Sequence, residues 1–278
     1  MKKTAPEFGT FALPLKREAL RVRADKYGGS RFGRWMISWL RKRAFKGLPD
    51  PFDIEINHGL RLRVWPRTNR CEKRVFAGYQ IWDTQEHKAL ADALSQSDTR
   101  GTFVFLDVGA NVGLYSLFLE HEARKMSRDV RILAIEPDFT NRQRLEFNVT
   151  ANESDIEIIN TAISDRIGEA FLQGGTTNRG EVRMEADGET GQAVPLTTLN
   201  ALCAAQNVKR IDAMKLDIEG QDLRALTAFF ATAEPKLWPN LLILETGREA
   251  TTPLLELCTT HGYDITARSG INSILKRK

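Results

Sequence analysis

From Phe103 onward, apolar and polar positions fall into alternating blocks. Phe103–Val108, Arg131–Ile135, Ile156–Ala162, Ala213–Leu216 and Leu241–Glu245 are short apolar runs, which predict strands. Leu114–Ala123, Asn141–Ala151, Gln221–Ala231 and Pro253–His261 carry apolar residues at helical spacing. This alternation predicts a parallel sheet with helices on both faces. The end of the chain breaks the pattern. Asp264–Ala267 and Ser273–Lys276 read as short strands with only Ser269-Gly270-Ile271-Asn272 between them, so they should pair antiparallel. The span 164–195, rich in Gly, Thr, Asn and Glu, reads as an inserted turn or hairpin region. No internal repeat is visible.

The first hundred residues follow another rhythm. Arg31 to Arg43 is expected to form an amphipathic helix, with Phe32, Trp35 and Trp39 along one face and Pro49 and Pro51 beyond its end. Phe52–Ile56 and Leu60–Trp65 alternate apolar and polar around Asn57-His58-Gly59, which predicts a β-hairpin. Glu86–Leu94 reads as a helix leading into the main domain. The expected division is a basic extension over residues 1–90 and an α/β domain over 91–278.

Charge sharpens this division. Residues 1–100 hold 21 Lys/Arg against 11 Asp/Glu, while the remainder holds 19 against 25. No apolar run reaches 18 residues, so no membrane span is expected. The start, MKKTAPEFGTFALP, lacks the apolar stretch of a secretory signal. Cys71, Cys203 and Cys258 show neither metal-ligand spacing nor a disulfide framework. A cytoplasmic location is the expectation.

Candidate chemistry begins where the first strand of the main domain meets its helix, at Asp107-Val108-Gly109-Ala110-Asn111-Val112-Gly113. In open α/β sheets, ligands sit beyond the carboxyl ends of the strands. Gly109 would turn the chain tightly and Gly113 would allow close approach to the first helical turn. The free N–H groups there suit a carboxylate or a phosphate. The spacing is not that of the dinucleotide fingerprint, nor of a P-loop. Asp107 is awkward beside a pyrophosphate but comfortable beside an ammonium or sulfonium. Twenty-three residues past Gly113 comes Ile135-Glu136-Pro137. Glu136 can accept hydrogen bonds from both ribose hydroxyls. The ligand implied is a cationic nucleoside with a carboxylate and free 2′ and 3′ hydroxyls, a description S-adenosylmethionine fits. Two alternatives stay open: a nicotinamide-dependent oxidoreductase on a similar sheet, and a non-catalytic binding module.

The chain resembles the FkbM family of S-adenosylmethionine-dependent methyltransferases. The resemblance rests on Asp107 to Ser116, Ile135-Glu136-Pro137, Leu145 to Val149, Asn160 to Ser164, Val194 to Leu199 and Lys215 to Gly220. It covers roughly residues 75–278 and departs at Asn200, where the family more often carries Asp. It implies a class I methyltransferase (Rossmann-like) fold: seven strands, mostly parallel, with an antiparallel C-terminal strand. It also implies methyl transfer to oxygen, often on sugars or natural products. Onto this chain it carries a cofactor set of Asp107, Gly109, Ala110, Asn111, Gly113, Ser116, Glu136, Pro137, Ala162 and Asp217.

A hydroxyl acceptor must lose a proton, which calls for a general base. Asp217 is expected near the sulfonium, Glu219 to orient or deprotonate the acceptor, and Glu245 to line the acceptor pocket. Lys215 reads as a structural ion-pair partner. Asp217 and Glu219 offer two oxygen ligands but no third stands out, so no metal is expected. His58, His87, His121 and His261 lie in no motif and read as structural. The basic segment 1–50 admits three readings: an accessory helix that packs its aromatics on the domain, a membrane-surface contact, or a nucleic-acid surface. The first is favoured, and no nucleic acid is expected; the acceptor should be a small molecule or glycan.

Overall fold

The computed structural model describes residues 5–56, 59–98, 100–174, 182–185 and 191–278, with backbone only at 173–174 and 182–185. Two helices come first, α1 (Leu15–Ala24) and α2 (Arg31–Phe45). Ser30 Oγ caps α2 by accepting from Gly33 N at 3.0 Å. Strands β1 (Phe52–Ile56) and β2 (Leu60–Val64) then pair antiparallel as the alternation predicted; turn residues 57 and 58 lie outside the described residues. Helix α3 (Arg70–Phe76), a 3₁₀ turn at Tyr79–Ile81 and α4 (Thr84–Gln96) complete the extension.

The main sheet begins with β3 (Phe103–Val108), followed by α5 (Leu114–Met126), β4 (Val130–Ile135), α6 (Phe139–Ala151) and β5 (Ile156–Ile159). The strand expected over Ile156–Ala162 is split here. The chain bends at Asn160-Thr161, and β6 (Ala162–Ile163) joins a second sheet with β7 (Gly168–Gly174), β8 (Val182–Glu185) and β9 (Gln192–Thr197). These strands account for the described part of the 164–195 insertion. Then come α7 (Leu199–Ala205), β10 (Ala213–Leu216), α8 (Asp222–Thr232), β11 (Leu241–Glu245), α9 (Pro253–Thr260), β12 (Tyr263–Ser269) and β13 (Asn272–Arg277).

The seven-stranded sheet runs in the order β12-β13-β11-β10-β3-β4-β5. Pairs from β11 to β5 are parallel, and β13 is antiparallel to both of its neighbours. This is the mostly parallel sheet with one antiparallel strand that the pattern and the resemblance implied.

Period-two alternation divides the core in two. Phe103, Phe105, Ile132, Ala134, Ile243 and Ile274 face the cluster that includes α5, α6 and the N-terminal elements. Leu106, Val108, Leu133, Ile135, Met214, Leu216, Leu242 and Leu244 face the cluster that includes α7, α8 and α9. Asp107, Lys215 and Glu245 keep the parity of the first face. They therefore end neighbouring strands on the side covered by the extension.

Polar contacts lock the extension down. Arg63 N donates to Asn148 Oδ1 at 2.8 Å, and Asn148 Nδ2 donates to Val112 O at 3.2 Å. Asn148 thus ties β2, α6 and the glycine turn together. Arg63 with Asp53, and Arg144 with Glu72, form buried ion pairs at 2.7 and 2.6 Å.

Candidate active site

The glycine turn is built by backbone constraint. Gly109, Asn111 and Gly113 adopt φ of +79°, +53° and +84°. A Cβ on Gly109 would stand 2.0 Å from Asp217 O, so the two strand ends can approach only because that position is glycine. A Cβ on Gly113 would stand 2.3 Å from Leu145 Cδ1. The space that sequence reading assigned to a ligand beside Gly113 is filled by α6. Gly109 N and Ala110 N both donate to Ile135 O at 3.0 Å.

Glu136 closes the turn from the neighbouring strand. Its Oε2 accepts from Asn111 N at 2.7 Å and its Oε1 from Asp138 N at 2.9 Å. Asn111 Oδ1 in turn accepts from Asn69 Nδ2 at 2.8 Å. Asn69 also caps α3, accepting from Cys71 N and Glu72 N. The extension thus holds the turn from outside. Burial pushes the Glu136 carboxyl up to about 8, although two backbone N–H donors pull it down.

A cavity of about 840 Å³ opens beyond this edge of the sheet. Gly109, Ala110, Asn111, Glu136, Pro137, Ala162, Asp217, Glu219 and Glu245 all line it. Asp107, Gly113 and Ser116 do not. Asp107 is buried behind the wall, where its Oδ2 accepts from Ser116 Oγ at 2.7 Å and Ser116 N at 3.2 Å. The alternation that turns Asp107 toward α5 moves this trio from the cavity surface into its support.

The other half of the cavity is made of charged side chains. Lys215 Nζ lies 3.2 Å from Asp217 Oδ2, 3.4 Å from Gly109 O and 5.3 Å from the Tyr115 ring centre. The expected ion pair forms. Burial alone would raise Asp217, but Lys215 and a hydrogen bond with Glu245 bring it below the ordinary carboxylate range. Glu245 moves the other way, to about 7, through burial and then the Asp217 charge. The proton affinities of the two carboxyls are thus pushed apart. Glu219 sits in a left-handed turn, φ +52°, ahead of Gly220 at +93°. Asp222 closes this turn by accepting from Ile218 N and Gly220 N, each at 3.3 Å.

A run of the sequence that matches the methyltransferase FkbM domain, residues 107–265, includes the carboxyl ends of β3, β4, β10 and β11. The chain belongs to the FkbM methyltransferase family. Over this run it carries a methyltransferase domain with the class I fold, for which S-adenosylmethionine is the consistent cofactor, and this sets aside the oxidoreductase reading. A curated relative, the AMB antimetabolite synthetase AmbE of Pseudomonas aeruginosa, is 25% identical over 208 residues. The match covers 59% of this chain and 10% of that protein, so the chain spans about a tenth of the relative's length. Among solved structures, the precorrin-6y C5,15-methyltransferase of Geobacter metallireducens is 13% identical, with a TM-score of 0.40 over 72% of this chain and 89% of that one. A methyltransferase of Agrobacterium tumefaciens is 10% identical, with a TM-score of 0.45 over 83% and 70%.

The FkbM cavity fits this cofactor chemically. Its volume lies within the range of ligand pockets. Each Glu136 oxygen already accepts one backbone donor and keeps a lone pair for a hydroxyl. A buried carboxyl raised to about 8 is short of donors, and a ribose diol supplies two. Among the described residues no group of three His, Cys, Asp or Glu is placed to hold a metal ion. His87 is packed among Trp82, Tyr115 and Phe118, and burial lowers it to about 3.

Sequence reasoning missed the residues that the extension brings to the cavity, Arg70, Arg74, Trp82 and Asp83, and gave no role to Tyr115 and Arg248 of the main domain. Asp83 has φ +44° and accepts from Tyr115 Oη at 2.8 Å. In the sequence Asp83 stands where an N-cap is expected; in the structure its side chain makes no capping hydrogen bond and turns to Tyr115 instead.

Proposed function

We propose that this methyltransferase acts on oxygen, at a hydroxyl of a sugar, glycan or small-molecule natural product, and not on nucleic acid. The observation supporting this is the Asp217–Glu245 pair at the carboxyl edge of the sheet. Lys215 draws the negative charge to Asp217, which leaves Glu245 as the member that titrates near 7. A carboxyl of that proton affinity suits a general base working at neutral pH. It takes the hydroxyl proton as the oxygen is alkylated.

When bound, S-adenosylmethionine supplies an electrophilic methyl whose leaving group is a neutral thioether. Glu136 holds the ribose hydroxyls, while the Gly109-Ala110-Asn111 backbone, Pro137 and Ala162 form the remaining wall. Asp217 keeps a fixed negative charge near the reacting centre, and Glu219 orients the acceptor from its turn. Holding both partners in line supplies much of the acceleration. The base moves from Glu219, as first read, to Glu245, because Glu245 is the carboxyl raised toward neutrality.

The test is methyl transfer from labelled cofactor to a panel of hydroxyl-bearing acceptors, with the methylated atom located by NMR. Glu245→Gln should lower the rate by ~10²–10⁴-fold while S-adenosylhomocysteine affinity is unchanged. The wild-type rate should rise with pH and level above about 7, since the base must be ionised. A methyl found on nitrogen or carbon, or a Glu245→Gln variant at full rate, would overturn the reading.

A further inference from the structure

Helix α2 turns its aliphatic side inward and its aromatic side outward. Gly33, Ile37, Leu40 and Ala44 are buried, whereas Phe32, Trp35 and Trp39 remain 64%, 58% and 38% exposed. The accessory-helix reading had these rings packed on the domain; the structure places the aliphatic residues there instead. Spacing of three and four puts the rings on one stripe of the helix. Phe32 and Trp35 touch, with ring centres 6.0 Å apart, and the Arg43 guanidinium lies 4.2 Å over Trp39. On α1, which packs against α2, Leu15 and Val22 are also exposed, at 89% and 45%. Residues 14–46 carry eleven Lys/Arg and two Asp/Glu. One of those two acids, Glu18, is paired with Arg21 at 2.5 Å.

A row of large exposed aromatics bordered by cations marks an interaction surface. We infer that α1 and α2 seat the protein on a membrane surface bearing anionic headgroups, as an interfacial element that lies on the bilayer without crossing it. Among the described residues no helix is long and apolar enough to cross. Charge complementarity selects this occupant. A second copy docked face to face would bring the same positive patch and be repelled. A nucleic acid would satisfy the cations but leave Leu15 and Val22 without an apolar partner. A headgroup layer satisfies both, with rings and aliphatic side chains at the acyl boundary and Lys/Arg among the phosphates.

The flank of α2 away from the aromatic stripe borders the catalytic cavity. Arg34 and Arg41 on the flank of α2 line a groove of about 300 Å³, together with Arg74, Ile81, Trp82 and Asp83. The last four line the cavity as well.

The experiment is flotation of the full chain with vesicles of phosphatidylcholine alone or phosphatidylcholine containing phosphatidylglycerol. The protein should float with the anionic vesicles and not the neutral ones, with a blue shift in tryptophan emission, and high salt should release it. Joint replacement Phe32→Ser, Trp35→Ser and Trp39→Ser should lower retention by about tenfold or more. All three side chains are exposed, so melting temperature and S-adenosylhomocysteine affinity should be unchanged. Absence of flotation with anionic vesicles overturns the inference. So does equal flotation of the triple variant, or a triple variant whose only defect is loss of self-association or of binding to an RNA oligonucleotide.

Discussion

The two halves of the cavity are built from different materials. On the β3–β4 side, the wall is backbone in fixed conformations: Gly109 against Asp217 O, Ala110 N on Ile135 O, Asn111 N on Glu136. On the β10–β11 side and the extension, the wall is charged side chains: Lys215, Asp217, Glu245, Arg74 and Arg248. Backbone geometry tolerates almost no change, because every atom is already in contact. Side chains on strand ends and loops can be exchanged without moving the sheet. The first half is suited to a cofactor that never varies, and the second to an acceptor whose chemistry must be matched.

This contrast can be broken from either side. Gly109→Ala should have the largest effect. Left-handed backbone strain plus overpacking against Asp217 O costs about 3–5 kcal/mol, read as a collapsed melting transition and lost S-adenosylhomocysteine binding. Glu136→Gln should be milder: the amide nitrogen cannot accept the backbone N–H that one carboxylate oxygen holds, so stability should fall by about 1–3 kcal/mol and affinity by about 2 kcal/mol, or ~30-fold. In the wild type, binding requires the ionised carboxyl, so affinity should rise as pH approaches about 8 and then level. The variant should lack that dependence, and titration calorimetry across pH reads both. Arg248→Ala should be smallest: the side chain is exposed, so stability should stay within about 0.5 kcal/mol. Cofactor affinity should not change, and only the acceptor KM should rise. An Arg248→Ala variant that loses cofactor binding would erase the distinction between the halves.

What could be read from the chain follows the same division. The glycine turn, Glu136 and the strand–helix alternation are local patterns, and they appear where expected. Helix α1 was not legible because its pattern is inverted: Leu15 and Val22 face solvent while Arg21 is buried, bonding Glu18 and Glu55 O. Helix α7 is a seven-residue run started by the Thr198 cap, too brief to show a period. Asp83 and Tyr115 meet only because the extension folds back over the sheet, a contact no local spacing encodes. The aromatic face of α2 was visible as a stripe. Which side of the helix met the domain was not, since Ile37 and Leu40 compete with it for burial.

Strand β13 follows β12 in the chain yet lies between β12 and β11 in the sheet. Until β13 is in place, β12 has no neighbour in that sheet and β11 has a bare edge. In the assembled sheet β12 depends on β13 for its pairing, so β13 pairs with β11 before β12 or together with it, and the order of the strands in the chain is not the order in which the sheet can grow. Asn272, the first residue of β13, reaches Glu86 of α4 at 2.8 Å and lines the cavity. A proteolytic nick near Gly270 would therefore do more than trim a strand. It would uncouple α4 from the sheet edge and leave Leu241 to Glu245 open as a template for pairing with other chains.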